Sequence, residues 1–473
     1  MDLGALRFGN VINGEIHHAN QATQSKDPRT MEPLWTVPIG SQEDLDDAVC
    51  AAQSAFKNWS KTNIEERQAV LRRMAAALKE QNQFMASIIM KETGKSALLS
   101  DFEVDSSVAF LEFNASQSLP EEVVFEDANL KIVATHTPIG VVGAICPWNF
   151  PLILSTAKIA ASLLMGNCII VKPSPFTPYS VLKFAEITVG IVPPGVFQAL
   201  NGGNELGAHM SLHPNIQKIT FTGSTSTGKK IMESASKTLK SLTLELGGND
   251  ATIILPDVDL DSVVPQVTTG CFFNAGQMCV ATKRIYVHED IFEAFMERFV
   301  ADVIKFSIDA LADAPSVFVP LQNELQYSVV SNIIEDCWLK NYKIATGGGI
   351  PRRPGLFLEP TIVDRPPDDS RLVTEEQFGP IIPVLSWKTE TEVIQRANST
   401  STGLGACVWA KNVKDAERIG RNLDVGSLWI NSFEKPHPAG YFSGRKESGF
   451  GGEWGKQGLL SYCNTQTVHI SKF

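Results

Sequence analysis

The residues of this chain best suited to covalent chemistry are one cysteine, one glutamate and one asparagine. Cys279 lies in Cys-Phe-Phe-Asn-Ala-Gly-Gln-Met-Cys-Val, where Gly276 and Gln277 allow a bend and bring backbone N–H groups close to the sulfur. Such dipoles favour the thiolate, which is the reactive form of a thiol. Glu245 in Leu-Glu-Leu-Gly-Gly is a candidate general base, and Asn149 in Pro-Trp-Asn-Phe-Pro is a candidate oxyanion donor. Together they predict catalysis through a covalent cysteine intermediate.

The eight cysteines are scattered along the chain. They form no Cys-x-x-Cys pair and no Cys/His ligand spacing, so the sequence predicts neither a disulfide framework nor a metal site. Most cysteines of proteins from reducing compartments are small buried residues. Cys279 is therefore singled out because the chain also carries Glu245 and Asn149, and not because it is a cysteine.

The composition is that of an ordinary globular protein. The 473 residues are enough for two or three lobes with sizeable cores, and 43% are hydrophobic and 20% charged. A formal net charge of −11 argues against a nucleic-acid surface, because phosphate binding needs clustered Lys and Arg. We find no signal-peptide pattern in residues 1–20 and no apolar run of about 18 residues, and Ser471-Lys472-Phe473 only poorly approximates a peroxisomal ending. We expect a cytoplasmic protein without a membrane partner.

Strands alternating with helices must position the candidate residues. In the first half of the chain, this alternation covers apolar strand-length runs at 140–145, 168–171 and 218–221 and helical segments at 152–164 and 179–189. A second α/β lobe begins near Gly247, with strands predicted at 251–255, 285–288, 381–386 and 406–409 and a helix at 260–274. The pattern predicts parallel, doubly wound sheets with a cleft between the two lobes.

Further elements flank these lobes. A hairpin is predicted at Asn13-Gly14, and long helices are predicted at 44–59, 64–93 and 97–116. Residues 131–136 alternate like an edge strand, and residues 465–471 alternate in the same way. We expect the second of these strands to pair with the first strand of another subunit.

The motifs, in their order along the chain, resemble those of the NAD(P)-dependent aldehyde dehydrogenase superfamily. Besides the three segments above, the likeness rests on Val171-Lys172-Pro173-Ser174, Phe221-Thr222-Gly223-Ser224-Thr225, Glu375-Glu376-Gln377-Phe378-Gly379-Pro380 and Ser448-Gly449-Phe450-Gly451. Seven motifs in the family's order are very hard to produce by chance, and together they cover nearly the whole chain.

The resemblance implies an aldehyde-dehydrogenase-like α/β fold with two doubly wound lobes and a small β extension for oligomerisation. It assigns a Rossmann-like cofactor-binding domain to 1–119 and 139–246, with a return to it at 448–462. It assigns the catalytic domain to 247–447 and the oligomerisation strands to 120–138 and 463–473. The partners implied are an aldehyde and further copies of the chain, as a homodimer or homotetramer.

The resemblance also implies NAD or NADP as the cofactor. The turn at Gly223-Ser224 ends a strand before a helix and so presents N–H groups to a phosphate. It is close to a P-loop, but Lys230 occupies the place of the magnesium-binding hydroxyl residue, which disfavours an NTPase. The remaining cofactor residues implied by the family are Trp148, Lys172, Ser174, Glu376 and Phe378.

The choice between NAD and NADP stays open. Members of the family that prefer NAD often carry a Glu three residues after the lysine, where this chain has Pro175. Without that carboxylate nothing repels a 2′-phosphate, and Lys172 and Ser174 can bind one. Without the family, Lys172 and Glu376 would be surface charges and Phe378 a core ring.

The mechanism implied by the family has two stages. Cys279 attacks the aldehyde while the Asn149 amide and the Cys279 N–H stabilise the oxyanion, and hydride leaves to the cofactor. Water activated by Glu245 then hydrolyses the thioester, with Lys158 and Glu453 as a proton path behind that base. Members that transfer the acyl group to CoA characteristically lack this glutamate, so its presence favours release of a free acid.

The substrate is expected to be a bulky aliphatic or aromatic aldehyde. Ala157 falls where succinate-semialdehyde members carry Arg and many others Trp, so we expect extra volume and no carboxylate clamp. Other apolar residues expected at the entrance are Met278, Val280, Pro436 and Phe442. Two alternatives remain: a semialdehyde or CoA-acylating dehydrogenase on the same fold, and a catalytically idle structural or binding protein.

Overall fold

The structure, a computed structural model, describes residues 6–18, 21–311 and 319–472, with only the backbone of 306–311. Residues 1–5 and 473, which belong to the predicted terminal segments, lie outside the described residues. The helices are α1 Gln42–Trp59, α2 Ile64–Glu80, α3 Asn82–Thr93, α4 Ala97–Asn114, α5 Pro151–Leu164, α6 Tyr179–Ile187, α7 Asn204–Leu212, α8 Thr225–Ser236, α9 Leu260–Phe272, α10 Phe292–Leu311, α11 Glu324–Leu339, α12 Arg371–Thr374, α13 Glu390–Asn398, α14 Val413–Gly420 and α15 Gly455–Leu460. The strands are β1 Asn10–Ile12, β2 Glu15–His17, β3 Ala22–Lys26, β4 Pro33–Pro38, β5 Glu122–Glu126, β6 Leu130–Pro138, β7 Val141–Ile145, β8 Cys168–Lys172, β9 Phe197–Ala199, β10 Lys218–Thr222, β11 Ser241–Glu245, β12 Ala251–Ile254, β13 Arg284–His288, β14 Lys343–Thr346, β15 Thr361–Asp364, β16 Ile381–Trp387, β17 Thr402–Gly403, β18 Gly405–Trp409, β19 Ser427–Ile430, β20 Phe442–Ser443, β21 Arg445–Lys446, β22 Gly449–Phe450, β23 Gly452–Glu453 and β24 Cys463–Ser471.

The first large sheet has the strand order β2-β1-β9-β8-β7-β10-β11-β22. Its five central strands, β9, β8, β7, β10 and β11, run parallel, and β1 and β22 pair with them in antiparallel fashion. Every residue of β7, β8 and β10 is buried, as expected for parallel strands covered by helices. The strand order reverses between β7 and β10, and ligands of doubly wound sheets bind outside the carboxyl ends of the strands at such a point.

The second large sheet has the order β14-β15-β16-β13-β12-β18-β19. All neighbours in it are parallel except β14, which is antiparallel to β15. Helices α9 and α10 pack together and bury a core that includes Phe272, Phe295 and Phe299. The two parallel sheets confirm the predicted doubly wound α/β fold.

A third, antiparallel sheet corrects two predictions. Strand β24 pairs with β6 of the same chain, from Cys463 opposite Pro138 to Ser471 opposite Leu130, and not with another subunit. Strand β5, which the sequence analysis missed, pairs with the other side of β6, so β6 is a central strand and not an edge strand. Alternation along a sequence indicates a strand but not its partner, and here the chain returns beside β6 directly after α15.

The N-terminal part of the first lobe contains one further correction. The helix predicted over 64–93 is broken at Gln81 (φ −98°, ψ 15°), which separates α2 from α3. The break lets α3 pack against α6 while α2 packs against α5. Helix α3 ends at Gly94 (φ 75°), as predicted, and Asn13 and Gly14 both have positive φ in the predicted turn between β1 and β2.

Among the helices of the described residues, we find none that combines the length and the apolar run needed to cross a membrane.

Candidate active site

The predicted site residues lie at two facing sheet edges. In the first sheet they follow the carboxyl ends of parallel strands: Asn149 follows β7, Lys172 ends β8, and Glu245 ends β11. In the second sheet they precede strands: Cys279 comes before β13, and Glu376 comes before β16. The cleft therefore lies between the carboxyl edge of one sheet and the amino edge of the other.

A left-handed turn presents the cysteine segment to this cleft. After α9, Asn274, Ala275 and Gly276 take φ values of 52°, 55° and 71° in succession, which ends the predicted helix over 260–274 early. For residues other than glycine this conformation costs on the order of 1 kcal/mol or more, so neighbours must hold it. Gln277 does so: its amide donates to the Asn274 carbonyl at 2.9 Å, and its side-chain oxygen accepts from the Gln322 N–H at 2.9 Å.

The three predicted catalytic side chains meet in one cavity of about 340 Å³. The Cys279 thiol donates to Glu245 Oε1 at 3.1 Å. Asn149 Nδ2 donates to the Gln277 carbonyl at 3.0 Å, which leaves its second N–H for a ligand. A nucleophile, a base and an amide donor are thus within reach of one bound molecule.

Burial controls the protonation of the cysteine and glutamate. Burial raises the pKa of the Glu245 carboxyl, and the positive charge of Lys158 opposes that shift. Burial also raises the pKa of the Cys279 thiol, the negative charge of Glu245 raises it further, and Lys283 lowers it. The thiol is therefore neutral at rest, and the raised pKa of Glu245 suits a general base.

Behind Glu245 a buried chain of polar groups leads away from the cavity. The Thr222 hydroxyl donates to Glu245 Oε2 at 3.1 Å and accepts from Lys158 Nζ at 2.8 Å. Lys158 is also paired with Glu453 at 2.6 Å. The structure thus brings together the predicted Lys158 and Glu453, and it adds Thr222, which lies within a motif already noted but was not singled out.

A second buried ion pair holds the asparagine segment. Lys95 Nζ donates to the Asn149 carbonyl at 2.7 Å and pairs with Glu103, and both charged side chains are fully buried. Glu103 in turn accepts from the Leu152 N–H at 2.9 Å, at the start of α5. The sequence analysis missed this pair, because nothing in the sequence distinguishes Lys95 and Glu103 from charges exposed to solvent.

Lys283 connects the nucleophile to the predicted cofactor residue Glu376. Its ammonium donates to the Cys279 carbonyl at 2.7 Å and to Glu376 Oε1 at 2.8 Å. Glu376 Oε1 also accepts from the Gly248 N–H at 3.2 Å, whereas its Oε2 accepts no hydrogen bond within the described residues. One carboxylate oxygen is thus fixed and the other is available to a ligand hydroxyl.

Of the other predicted cofactor residues, Trp148 follows β7, Gly223 and Ser224 follow β10, and Phe378 precedes β16. Trp148 and Phe378 meet edge to face with ring centroids 5.4 Å apart. Ser224 caps α8 by accepting from the Thr227 N–H at 3.3 Å, and the Gly223 N–H donates to the Glu245 carbonyl at 3.0 Å. Ser224 therefore begins α8 as predicted, whereas the Gly223 N–H is already bonded within the chain.

Lys172 and Ser174 lie at the end of β8. The Lys172 ammonium donates to the Pro173 carbonyl at 3.1 Å, its one hydrogen bond within the described residues, which leaves two donors for a ligand. Burial lowers the pKa of Lys172 to about 8. Ser174 Oγ accepts from the Phe176 N–H at 3.3 Å. Free lysine donors and a free carboxylate oxygen on Glu376 fit the hydroxyl and phosphate groups of a dinucleotide.

The cavity wall is apolar, and four of the five predicted pocket residues, Met278, Val280, Pro436 and Phe442, belong to it. The prediction that Ala157 lines the pocket is wrong. Ala157 is 2% exposed and lies in an apolar cluster with larger side chains, Phe110, Phe150, Ile153 and Leu154. These side chains form the wall in its place.

Most of the wall was missed by the sequence analysis. The missed apolar residues are Phe102, Phe110, Phe150, Ile153, Leu154, Phe273, Phe433 and Trp454. One signal was available: Phe102, Ser106 and Phe110 are spaced four residues apart and share one face of α4. Trp454 directly follows Glu453, but no spacing rule indicates that its ring reaches the cavity.

The sequence and the fold were both compared with those of known proteins. The sequence matches the model of the aldehyde dehydrogenase family over residues 16–468. The putative aldehyde dehydrogenase FUS7 of Gibberella fujikuroi is 41% identical over 466 residues, 98% of this chain and 99% of that protein. Retinaldehyde dehydrogenase 3 of Homo sapiens is 35% identical over 470 residues, 97% of this chain and 92% of that protein. The solved NAD⁺ complex of an aldehyde dehydrogenase from Bacillus cereus matches with a TM-score of 0.95 and 32% identity, covering 99% of this chain and 97% of that one. The chain therefore belongs to the aldehyde dehydrogenase family.

Proposed function

We propose that this protein oxidises a bulky apolar aldehyde to the carboxylic acid, through a thioester on Cys279 that water hydrolyses. The observation that carries the proposal is the meeting of the Cys279 thiol, the Glu245 carboxylate and the Asn149 amide in one apolar cavity. The experiment that tests it is aldehyde-dependent reduction of NAD⁺ and NADP⁺ by the wild type and by variants of these residues.

The first stage uses the resting hydrogen bond of the thiol. Glu245 accepts the proton of Cys279 along the contact of 3.1 Å, and the thiolate attacks the aldehyde carbon. The free N–H of Asn149 and the backbone N–H of Cys279 stabilise the negative oxygen that forms. Bound NAD⁺ or NADP⁺ would supply the hydride acceptor, because the side chains of the cavity cannot accept a hydride.

The second stage uses Glu245 again. Glu245 first passes the thiol proton on to the polar groups behind it, and its carboxylate then removes a proton from water, which attacks the thioester and releases the acid and the Cys279 thiolate. The proton then has a path through Thr222 to Lys158 and Glu453, along contacts of 3.1, 2.8 and 2.6 Å. Because Glu245 faces the sulfur directly, hydrolysis is favoured over transfer to CoA.

The apolar wall supports a bulky aldehyde over a short semialdehyde. Among the described wall residues the basic side chain is Lys435, which is exposed, and no arginine lines the cavity. A semialdehyde carboxylate would therefore lose its hydration without gaining a buried partner.

Replacement of Asn149 by alanine is expected to lower kcat by about 10²- to 10³-fold, because one of two oxyanion donors is lost. KM for the aldehyde should change much less, since the lost contact forms mainly in the transition state. Steady-state kinetics with a saturating cofactor measure both constants. Asn422→Ala, at an exposed asparagine of the second lobe, is the control, and an unchanged kcat in Asn149→Ala would rule out the assigned role.

We propose that Lys172 and Pro175 permit NADP⁺ to bind. Pro175→Glu is expected to lower kcat/KM for NADP⁺ relative to NAD⁺ by about tenfold, because a carboxylate repels the 2′-phosphate and accepts from a 2′-hydroxyl. With its pKa near 8, Lys172 is protonated at neutral pH, so the affinity for NADP⁺ should fall as pH rises above 8. Pro175→Gln is the neutral control, and an equal effect of both variants would contradict the electrostatic explanation.

We also propose that copies of the chain associate through the β24-β6-β5 sheet as a homodimer or homotetramer. On β5, Val123, Val124 and Phe125 are 51%, 61% and 46% exposed, an apolar edge that a second copy would cover. Light scattering of the purified protein is expected to give two or four times the chain mass of 51.6 kDa. A monomer mass would remove this proposal.

A further inference from the structure

Two groups of aromatic rings form much of the cavity wall. In the first group, the Trp454 ring stacks on Phe442, with centroids 4.8 Å apart and planes 29° apart. The same indole lies 5.1 Å from the ring of Phe110. All three residues line the cavity that contains Cys279.

The second group also lines this cavity. The rings of Phe273 and Phe150 are 11° from parallel with centroids 6.4 Å apart. Phe102 meets Phe273 edge to face, with centroids 5.6 Å apart. A molecule in the cavity is therefore surrounded by ring faces and edges more than by flexible aliphatic side chains.

We propose that the substrate is an aldehyde whose carbonyl is extended by a flat, conjugated chain or an aromatic ring. This inference rests on the proposed function, since it names the class of aldehyde that the same site accepts. Stacked or edge contacts between π systems strengthen binding by roughly 2- to 13-fold beyond the burial of the same area. A conjugated chain is also already rigid, whereas a saturated chain must lose rotational freedom to fit between rings.

Trp454 is the specificity residue that we assign to this recognition. Its backbone has φ 64°, and its indole N–H is buried without a hydrogen-bond partner in the described structure. Ring contacts with Phe442 and Phe110 therefore hold the side chain in the wall. Ala157, which belongs to the same apolar cluster, does not reach the cavity.

The test compares (2E,4E)-deca-2,4-dienal with decanal, which have the same number of carbon atoms and differ in conjugation. The quantity measured is the ratio of kcat/KM for the dienal to that for decanal, in the wild type, Trp454→Leu and Trp454→Phe. Intrinsic differences in carbonyl reactivity cancel when this ratio is compared between variants. We expect Trp454→Leu to lower the ratio by about fivefold and Trp454→Phe to stay within about twofold of the wild type.

Two further variants keep the test decisive. Trp338→Leu, at an exposed tryptophan of α11, should leave the ratio unchanged. Phe102→Leu changes a ring that is 47% exposed, so it is expected to fold even if Trp454→Leu does not, and it should also lower the ratio.

The outcomes separate this inference from the function on which it rests. If the wild type oxidises both aldehydes and the ratio is the same in Trp454→Leu and Phe102→Leu, the inference fails and the proposed function stands. If the wild type oxidises neither aldehyde nor any other with either cofactor, the proposed function fails as well.

Discussion

Replacing Cys279 by alanine is expected to abolish aldehyde oxidation, with a fall in kcat of about 10⁴-fold or more, as when other covalent nucleophiles are removed. Among the described residues that line the cavity, Cys279 is the one thiol. Formation of NADH or NADPH with a panel of aldehydes measures the loss.

The matched control for this variant is Cys50→Ala, which removes an exposed free thiol of α1. Thermal unfolding of both variants should match the wild type closely, because the Cys279 side chain contributes a single hydrogen bond, to Glu245. If Cys279→Ala kept more than about a hundredth of the wild-type kcat, the covalent mechanism would be wrong.

Replacing Glu245 by glutamine is expected to stop hydrolysis while permitting one turnover. We expect the steady-state kcat to fall by about 10²- to 10⁴-fold, the usual contribution of a positioned base. In this variant the thiol gives its proton to water, and that loss is eased because the change removes the negative charge that, after burial, raises the pKa of Cys279. Rapid mixing should therefore show a burst of reduced cofactor equal to the enzyme concentration, followed by a slow phase.

The pH dependence of the same variant gives an independent check. A base acts in its deprotonated form, so wild-type kcat should rise as pH increases through the raised pKa of Glu245 and fall off below it. This rising limb should disappear in Glu245→Gln and persist in Glu233→Gln, which changes an exposed carboxylate on α8. An unchanged limb in Glu245→Gln would assign the titration to another group.

The parts of the site that the sequence predicted are those fixed by local chain geometry. Asn149 follows and Lys172 ends a strand that the sequence predicted, and ends of parallel strands meet at one edge of a sheet. Glu245 ends β11, a strand that the sequence analysis did not predict, and was singled out by its motif. The same reasoning placed Gly223 and Ser224 at the start of α8, where Ser224 is the N-cap residue.

The parts that the sequence did not predict depend on contacts between distant segments. Phe102 and Trp454 face one cavity from α4 and from the segment after β23. The spacing of Phe102, Ser106 and Phe110 indicates a shared face of α4 but not the cavity that this face lines. The pairing of β24 with β6 and the burial of the Lys95–Glu103 ion pair are of the same kind. Burial and pairing partner are properties of the assembled fold, whereas alternation and spacing are properties of the segment.

The central claim is that Cys279 carries the acyl group and that Glu245 removes it. The most direct test is mass spectrometry of Glu245→Gln after mixing with aldehyde and cofactor. We expect the chain to gain the mass of one acyl group, located on the peptide that contains Cys279, and the wild type to lose this adduct during turnover. An unmodified chain after a full burst of reduced cofactor, or an adduct on another residue, would contradict it.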